Sequence, residues 1–186
     1  MSLQAQNVKF TYEDYLLFPE DGKRFELIDG ERFMMPTPSI RHQRIIGRLN
    51  LFIWEHVALT KAGGLFIAPT DVVLSDMDVV QPDVLFIRAE RTSIITEKNI
   101  QGPPDFVIEI ISQTSRKTDK TIKRKLYERH GVREYWSVDP ELETVEVCRT
   151  TDRGYVRAAE LSLEAGHAVE TPLLPGLKVK LSELFS

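Results

Sequence analysis

A chain of 186 residues, 42% hydrophobic and 28% charged, is long enough for one well-packed domain spanning residues 1–186 and has an ordinary globular composition. No apolar run approaches membrane-spanning length, the first residues lack a secretory apolar core, and the single Cys148 excludes an internal disulfide or a cysteine-built zinc site. The expectation is a cytoplasmic protein with no membrane partner. The net charge of −4 argues against indiscriminate nucleic-acid binding, yet it is unevenly spread: Arg116 to Arg133 holds eight Lys or Arg against Asp119 and Glu128, a local +6 that leaves −10 elsewhere. On charge alone that run reads as a solvated helix face.

In chain order, Thr11 to Leu17 begins as a short helix with Thr11 as its N-cap and Asp14 in the first turn. Residues 24–28 and 31–35 are β-prone runs around Asp29-Gly30, the signature of a tight hairpin. Alternation places Phe25 and Leu27 on one side and Glu26 and Ile28 on the other; Glu26 reads equally as a site residue or as an edge-strand carboxylate facing water. The Pro-rich connector at 35–39 precedes a long helix from Ile40 to about Thr60, whose Ile45, Ile46, Leu49, Phe52, Ile53 and Val57 recur at helical spacing. His42 shares that inward face. Gly63-Gly64 is expected to end the helix. Strands follow at 65–68 and 71–74, and the turn at 75–78 leads into a strand reading Val79 to Ile87. Asp71 reads as a second-rank acid beside any site, and Asp76 and Asp78 as turn residues. Residues 88–104 form a long polar connection, expected to lie near a substrate.

Two apolar strands then stand out. Asp83 lies in the first, pointing with Leu85 and Ile87, and Glu109 lies in the second, 105–111, pointing with Val107 and Ile111. A strand apolar on both faces is a central one, and an unpaired ionised carboxylate there is very costly. Each acid therefore needs a proton, a cation or the mouth of a cleft, and two such strands side by side could share one divalent ion. The basic helix that follows supplies a cation. At 100° per residue with Ile122 at zero, Leu126 falls near ~40°, Asp119 near ~60°, Lys123 near ~100° and Tyr127 near ~140°. Asp119 and Lys123 thus lie inside the apolar arc, while Lys120, Arg124, Lys125 and Glu128 lie outside it. Further β-runs at 134–139, 144–149 and 155–159, the last two joined at 152–154, and an alternating run at 176–181 complete the chain. The pattern is α/β: a mixed β-sheet flanked by helices, with an N-terminal hairpin and a β-rich C-terminal tail.

These residues resemble the PD-(D/E)XK nuclease superfamily and, within it, the Uma-two family of restriction endonucleases. The resemblance rests on ELIDGE at 26–31, MPTPSIRHQ at 35–43, QPD at 81–83, DFVIEIIS at 105–112, the D-x3-K-x3-Y spacing of Asp119, Lys123 and Tyr127, GVREYWSVDP at 131–140 and GLKVKLSELF at 176–185. They occur in order over nearly the whole chain. The superfamily's usual lysine, two residues after the Glu, is replaced here by Ile111, and Lys123 aligns as its migrated substitute. The resemblance implies a restriction-endonuclease-like fold with Asp83, Glu109 and the backbone carbonyl of Ile110 as ligands of Mg²⁺, or Mn²⁺ in its place. It further implies catalytic roles for Asp83, Glu109, Lys123 and Glu26, and a site lined by His42, Asp119 and Tyr127.

The function so implied is metal-dependent hydrolysis of phosphodiester bonds in nucleic acid, DNA in the first place, with Lys120 and Arg124 touching phosphates. A homodimer is expected, because two strands need two sites. The alternative is a non-catalytic DNA-binding or dimerising module that keeps the fold. A two-carboxylate glycosidase leaves the inward Lys without a role, and the four His lack a common metal-ligand spacing.

Overall fold

A computed structural model describes residues 8–19, 21–112 and 118–186, with the side chains of 118–120 outside the description. Four helices are α1 (Tyr12–Tyr15), α2 (Ile40–Thr60), α3 (Arg124–Arg129) and α4 (Leu181–Leu184). The strands are β1 (Arg24–Ile28), β2 (Glu31–Met35), β3 (Gly63–Ile67), β4 (Val72–Ser75), β5 (Asp78–Val80), β6 (Val84–Arg88), β7 (Ile100–Gln101), β8 (Phe106–Ile110), β9 (Glu134–Asp139), β10 (Thr144–Thr151), β11 (Gly154–Ser162), β12 (Ala168–Glu170) and β13 (Lys178–Lys180). None of the described helices is long and apolar enough to cross a membrane.

The strands form three sheets: a six-stranded sheet in the order β11-β10-β9-β8-β6-β3, a five-stranded sheet in the order β2-β1-β5-β4-β7, and the pair β12-β13. In the larger sheet β8 is central, antiparallel to β6 and parallel to β9. Its residues alternate between two cores, as a strand buried on both faces must. Phe106, Ile108 and Ile110 join Val84 and Phe86 against the α2 residues Ile45, Ile46, Leu49 and Ile53. Val107, with Leu85 and Ile87, packs on Leu126 and Tyr127 of α3 and on Ile28, Val72 and Val80 of the smaller sheet. The C-terminal β12-β13 pair and α4 close the α2 side through Val169, Val179 and Leu184.

The expected Val79–Ile87 strand is in fact two. Pro82 has no N–H to give a ladder, so the chain breaks at residues 81–83. β5 joins the five-stranded sheet while β6 joins the six-stranded one. The break carries Asp83 to the seam between the sheets. The end of α2 also differs from expectation: Lys61, at φ 54°, ends the helix, and Gly63-Gly64 opens β3. Gly63 is required there, since a Cβ would sit 2.0 Å from the Ile87 carbonyl oxygen. The Asp29-Gly30 hairpin forms as read, with both residues at positive φ. The polar connection becomes a 3₁₀ turn, Ala89–Ile94, followed by β7.

Asp78 is more than a turn residue. It is buried and accepts the Asp29 N–H at 2.8 Å, the Ser75 hydroxyl at 2.7 Å and Arg129 Nη2 at 3.1 Å, with His130 Nε2 3.0 Å away. It therefore ties the β1-β2 hairpin to the end of α3. Burial pushes its carboxyl up, but the Asp29 N–H, the Ser75 hydroxyl, His130 and Arg129 together hold it below the ordinary carboxylate range. Such a group adds stability above its unfolded pKa and loses it as pH falls through the folded one. Asp78→Asn is expected to cost about 2 kcal/mol at pH 7, and the gap to wild type to close below about pH 4. Urea unfolding at both pH values checks this; an unchanged gap would contradict it.

Candidate functional site

Asp83 and Glu109 lie side by side, one residue beyond the last paired positions Val84 and Ile108 of β6 and β8. Both are buried. Asp83 Oδ2 accepts the Ile110 N–H at 2.7 Å, so a carboxylate completes the backbone pairing where β6 has ended. Its Oδ1 lies 2.9 Å from His42 Nε2, which the first turn of α2 delivers. Ser39 caps that turn by accepting the His42 N–H at 3.2 Å.

Glu109 meets the helix. Lys123 Nζ, at the end of the π-helical turn Thr118–Lys123, and the Tyr127 hydroxyl, four residues on in α3, both donate to its Oε1, at 3.0 and 2.5 Å. Lys123 is 3% exposed and also lies 2.9 Å from Glu26 Oε1. That oxygen in turn accepts the Gln81 backbone N–H at 2.8 Å. Glu26 stands on β1, an interior strand between β2 and β5, so the reading of an edge carboxylate facing water is excluded. One ammonium thus joins β1 of the small sheet, β8 of the large sheet and the basic helix. Behind it, Tyr127 is fully buried; burial first, then the Glu109 carboxylate, raises its phenol well above the ordinary tyrosine value. It stays a neutral donor.

A cleft of about 1030 Å³ opens on this cluster. Glu26, His42, Asp83, Glu109, Ile110 and Lys123 line it, with the 36–39 connector on its rim. Of the expected site residues these six converge. Tyr127 does not reach the cleft but braces Glu109 from behind. The side chains of Asp119 and Lys120 lie outside the described residues. Arg124 is not in the cleft wall: it pairs with Glu146 of β10 at 3.6 Å. The 88–104 connection is also absent from the wall, its residues 95–100 lining a separate pocket beside Asp71 and Gln81. Asp71 belongs to that separate pocket, where it accepts from Gln81 Nε2 at 2.8 Å and Tyr15 at 2.9 Å.

Sequence reading missed Arg24. It lines the cleft, two residues before Glu26 and on the same strand face. Among the described residues it has no ion pair, whereas Arg41 on the rim pairs with Glu143 at 3.0 Å. The i−2 spacing from Glu26 was the available signal.

Whether a divalent ion fits can be judged from the donors. Among the described side chains, the buried carboxylates Glu26 and Glu109 meet the buried Lys123 ammonium, and the buried Asp83 carboxylate meets His42. These are hard oxygen donors of the kind Mg²⁺ takes. No group of three or more His, Cys, Asp or Glu spaced for one ion occurs among the described residues. Mg²⁺ needs fewer protein ligands than that, since it keeps several waters and takes one or two carboxylates. The donor set fits.

The solved structure of a putative nuclease belonging to DUF820 from Anabaena variabilis ATCC 29413 shares this fold, with a TM-score of 0.79 over 95% of this chain and 97% of that one at 23% identity. The model of the Uma2 family, described as "Putative restriction endonuclease", matches residues 12–182, and the chain belongs to that family. No curated protein matches the chain.

Lys123→Met should cost about 3 kcal/mol of stability at pH 7, because Glu26 and Glu109 are left buried without their shared cation. Lys125, exposed on the same helix, should tolerate Ala within about 0.5 kcal/mol. Urea unfolding of both variants checks the helix phase; equal losses would overturn it.

Proposed function

We propose that the protein is a divalent-metal-dependent endonuclease of the PD-(D/E)XK type that hydrolyses phosphodiester bonds of nucleic acid, DNA in the first place. The observation that carries this reading is the adjacency of Asp83 and Glu109 in the cleft wall, with Lys123 on Glu109. Asp83, Glu109 and the Ile110 carbonyl would hold Mg²⁺ or Mn²⁺. When bound, such an ion supplies Lewis acidity toward a phosphoryl oxygen and a more acidic water.

The remaining chemistry belongs to the chain. His42 and the Ile110 N–H hold the two oxygens of Asp83 in fixed directions. Lys123 fixes Glu109 and Glu26 together and places a positive charge where a phosphate oxygen becomes more negative during attack. Tyr127 keeps Glu109 from rotating. Arg24 contacts a phosphate next to the scissile one. Lys120 and Arg124 remain candidates for outer phosphate contacts, and Arg124 would first have to release Glu146.

Calorimetric titration with Mn²⁺, run beside a single-turnover cleavage assay on labelled duplex DNA, tests the reading. Wild type should bind and cleave; Asp83→Ala should lose both, whereas Lys123→Ala should lose cleavage and keep metal binding. Metal binding without cleavage of any DNA or RNA by wild type would instead establish the non-catalytic module. Arg24→Gln should weaken oligonucleotide binding and lower its log-log salt slope by about one; an unchanged slope would remove Arg24 from the phosphate path.

A further inference from the structure

We infer that the outward face of α2 is the contact surface for a second copy of this chain, paired antiparallel about a twofold axis. The helix is apolar on both sides. Its core face, Ile45, Ile46, Leu49, Ile53 and Val57, is buried. On the opposite side Ile40, Gly47, Leu51, Trp54 and Ala58 are all exposed, within an arc of about 60° at 100° per residue. Trp54 is 58% exposed and Leu51 equally so, and nothing lies within 4 Å of where a Cβ on Gly47 would sit. A single exposed Leu means little, but a row of exposed apolar residues broken only at Arg44, along a helix of 21 residues, is the mark of a contact surface.

The spacing of that row says what covers it. Positions 40, 44, 47, 51, 54 and 58 alternate steps of four and three, the seam of a helix pair. Run antiparallel against itself, the row sets Ile40 on Ala58, Gly47 on Leu51 and Arg44 on Trp54. Each large apolar residue meets a small one, and a guanidinium meets an indole face. A parallel pairing would instead set Arg44 on Arg44 and Gly47 on Gly47, combining like charges with a void. The row is therefore complementary to its own reverse, the condition for an isologous interface.

The pairing also places the clefts. Ser39 and His42, at the start of α2, line the cleft, so the two clefts lie toward opposite ends of the helix pair. His42 and its mate are separated by roughly 21 Å along the axis. On the nuclease reading each strand of a duplex has its own cleft, but the interface itself does not depend on cleavage.

Sedimentation equilibrium on the full chain, without metal or nucleic acid, tests the inference. Wild type should form a dimer. Leu51→Glu, an exposed position, should raise the dimer Kd by at least about tenfold while circular dichroism stays native. An equimolar mixture of Ile40→Cys and Ala58→Cys chains should cross-link under mild oxidation to the mixed dimer, because Ile40 meets Ala58 across the axis. A wild type that stays monomeric at sub-millimolar concentration, or a dimer that Leu51→Glu leaves unchanged, overturns the surface. A dimer weakened by Leu51→Glu whose cross-links form only between like chains overturns the antiparallel register. None of these results bears on whether the cleft cuts nucleic acid.

Discussion

The Lys123 ammonium, held between Glu26 and Glu109, is the interaction on which the arrangement of the site depends. A cation removed from water must be matched by nearby negative charge, and here the two partners come from two different sheets. Satisfying Lys123 therefore fixes how β1 of the small sheet approaches β8 of the large one, and how deeply the basic helix sits. Tyr127, one turn on, adds a second donor to the same Glu109 oxygen. Asp78 repeats the device nearby, joining the hairpin to the end of α3 through Asp29 and Arg129. Two buried acids thus hold the elements that carry Glu26 and Lys123 in one geometry.

Such networks are weak evidence for stability, because desolvating each charge costs several kcal/mol that the pairing only roughly returns. Apolar residues of similar size would fill the same space. Keeping three carboxylates and one ammonium at the wall of an open cleft is more readily understood as preparation for a charged ligand. The carboxylate oxygens suit a divalent cation, and the cations Lys123 and Arg24 suit a phosphate. The charge of the whole chain is divided too: an acidic body carries a locally basic run from Arg116 to Arg133.

Much of the fold was legible because local rules operate undisturbed. The Thr11 capping box, the Asp29-Gly30 hairpin, the Ser39 cap and the inward row of α2 all form as their residue patterns require. The inward placement of Lys123 agrees with α-helical phase counted back from Tyr127, and from Arg124 onward the helix is α. Before it, Thr118–Lys123 is a π-helical turn, to which a phase of 100° per residue does not apply. The break at 81–83 was misread because Val79 to Ile87 is uniformly β-prone. Only the missing N–H of Pro82 marked that the run would divide between two sheets.

What the sequence by itself determined was the identity of the acids and the lysine, the faces on which they lie, and the apolar strands that bury them. Periodicity is a property of neighbouring residues, and it survives whatever the distant chain does. Only the tertiary structure decided which charges meet. It brought Glu26 across 97 positions of chain to the Lys123 ammonium, joined His42 to Asp83, turned Tyr127 behind the cleft rather than into it, and gave Arg124 to Glu146. Ion pairing between remote elements has no local signature. It is settled by which surfaces must pack to bury the apolar faces, and the charges then find the partners that packing leaves within reach.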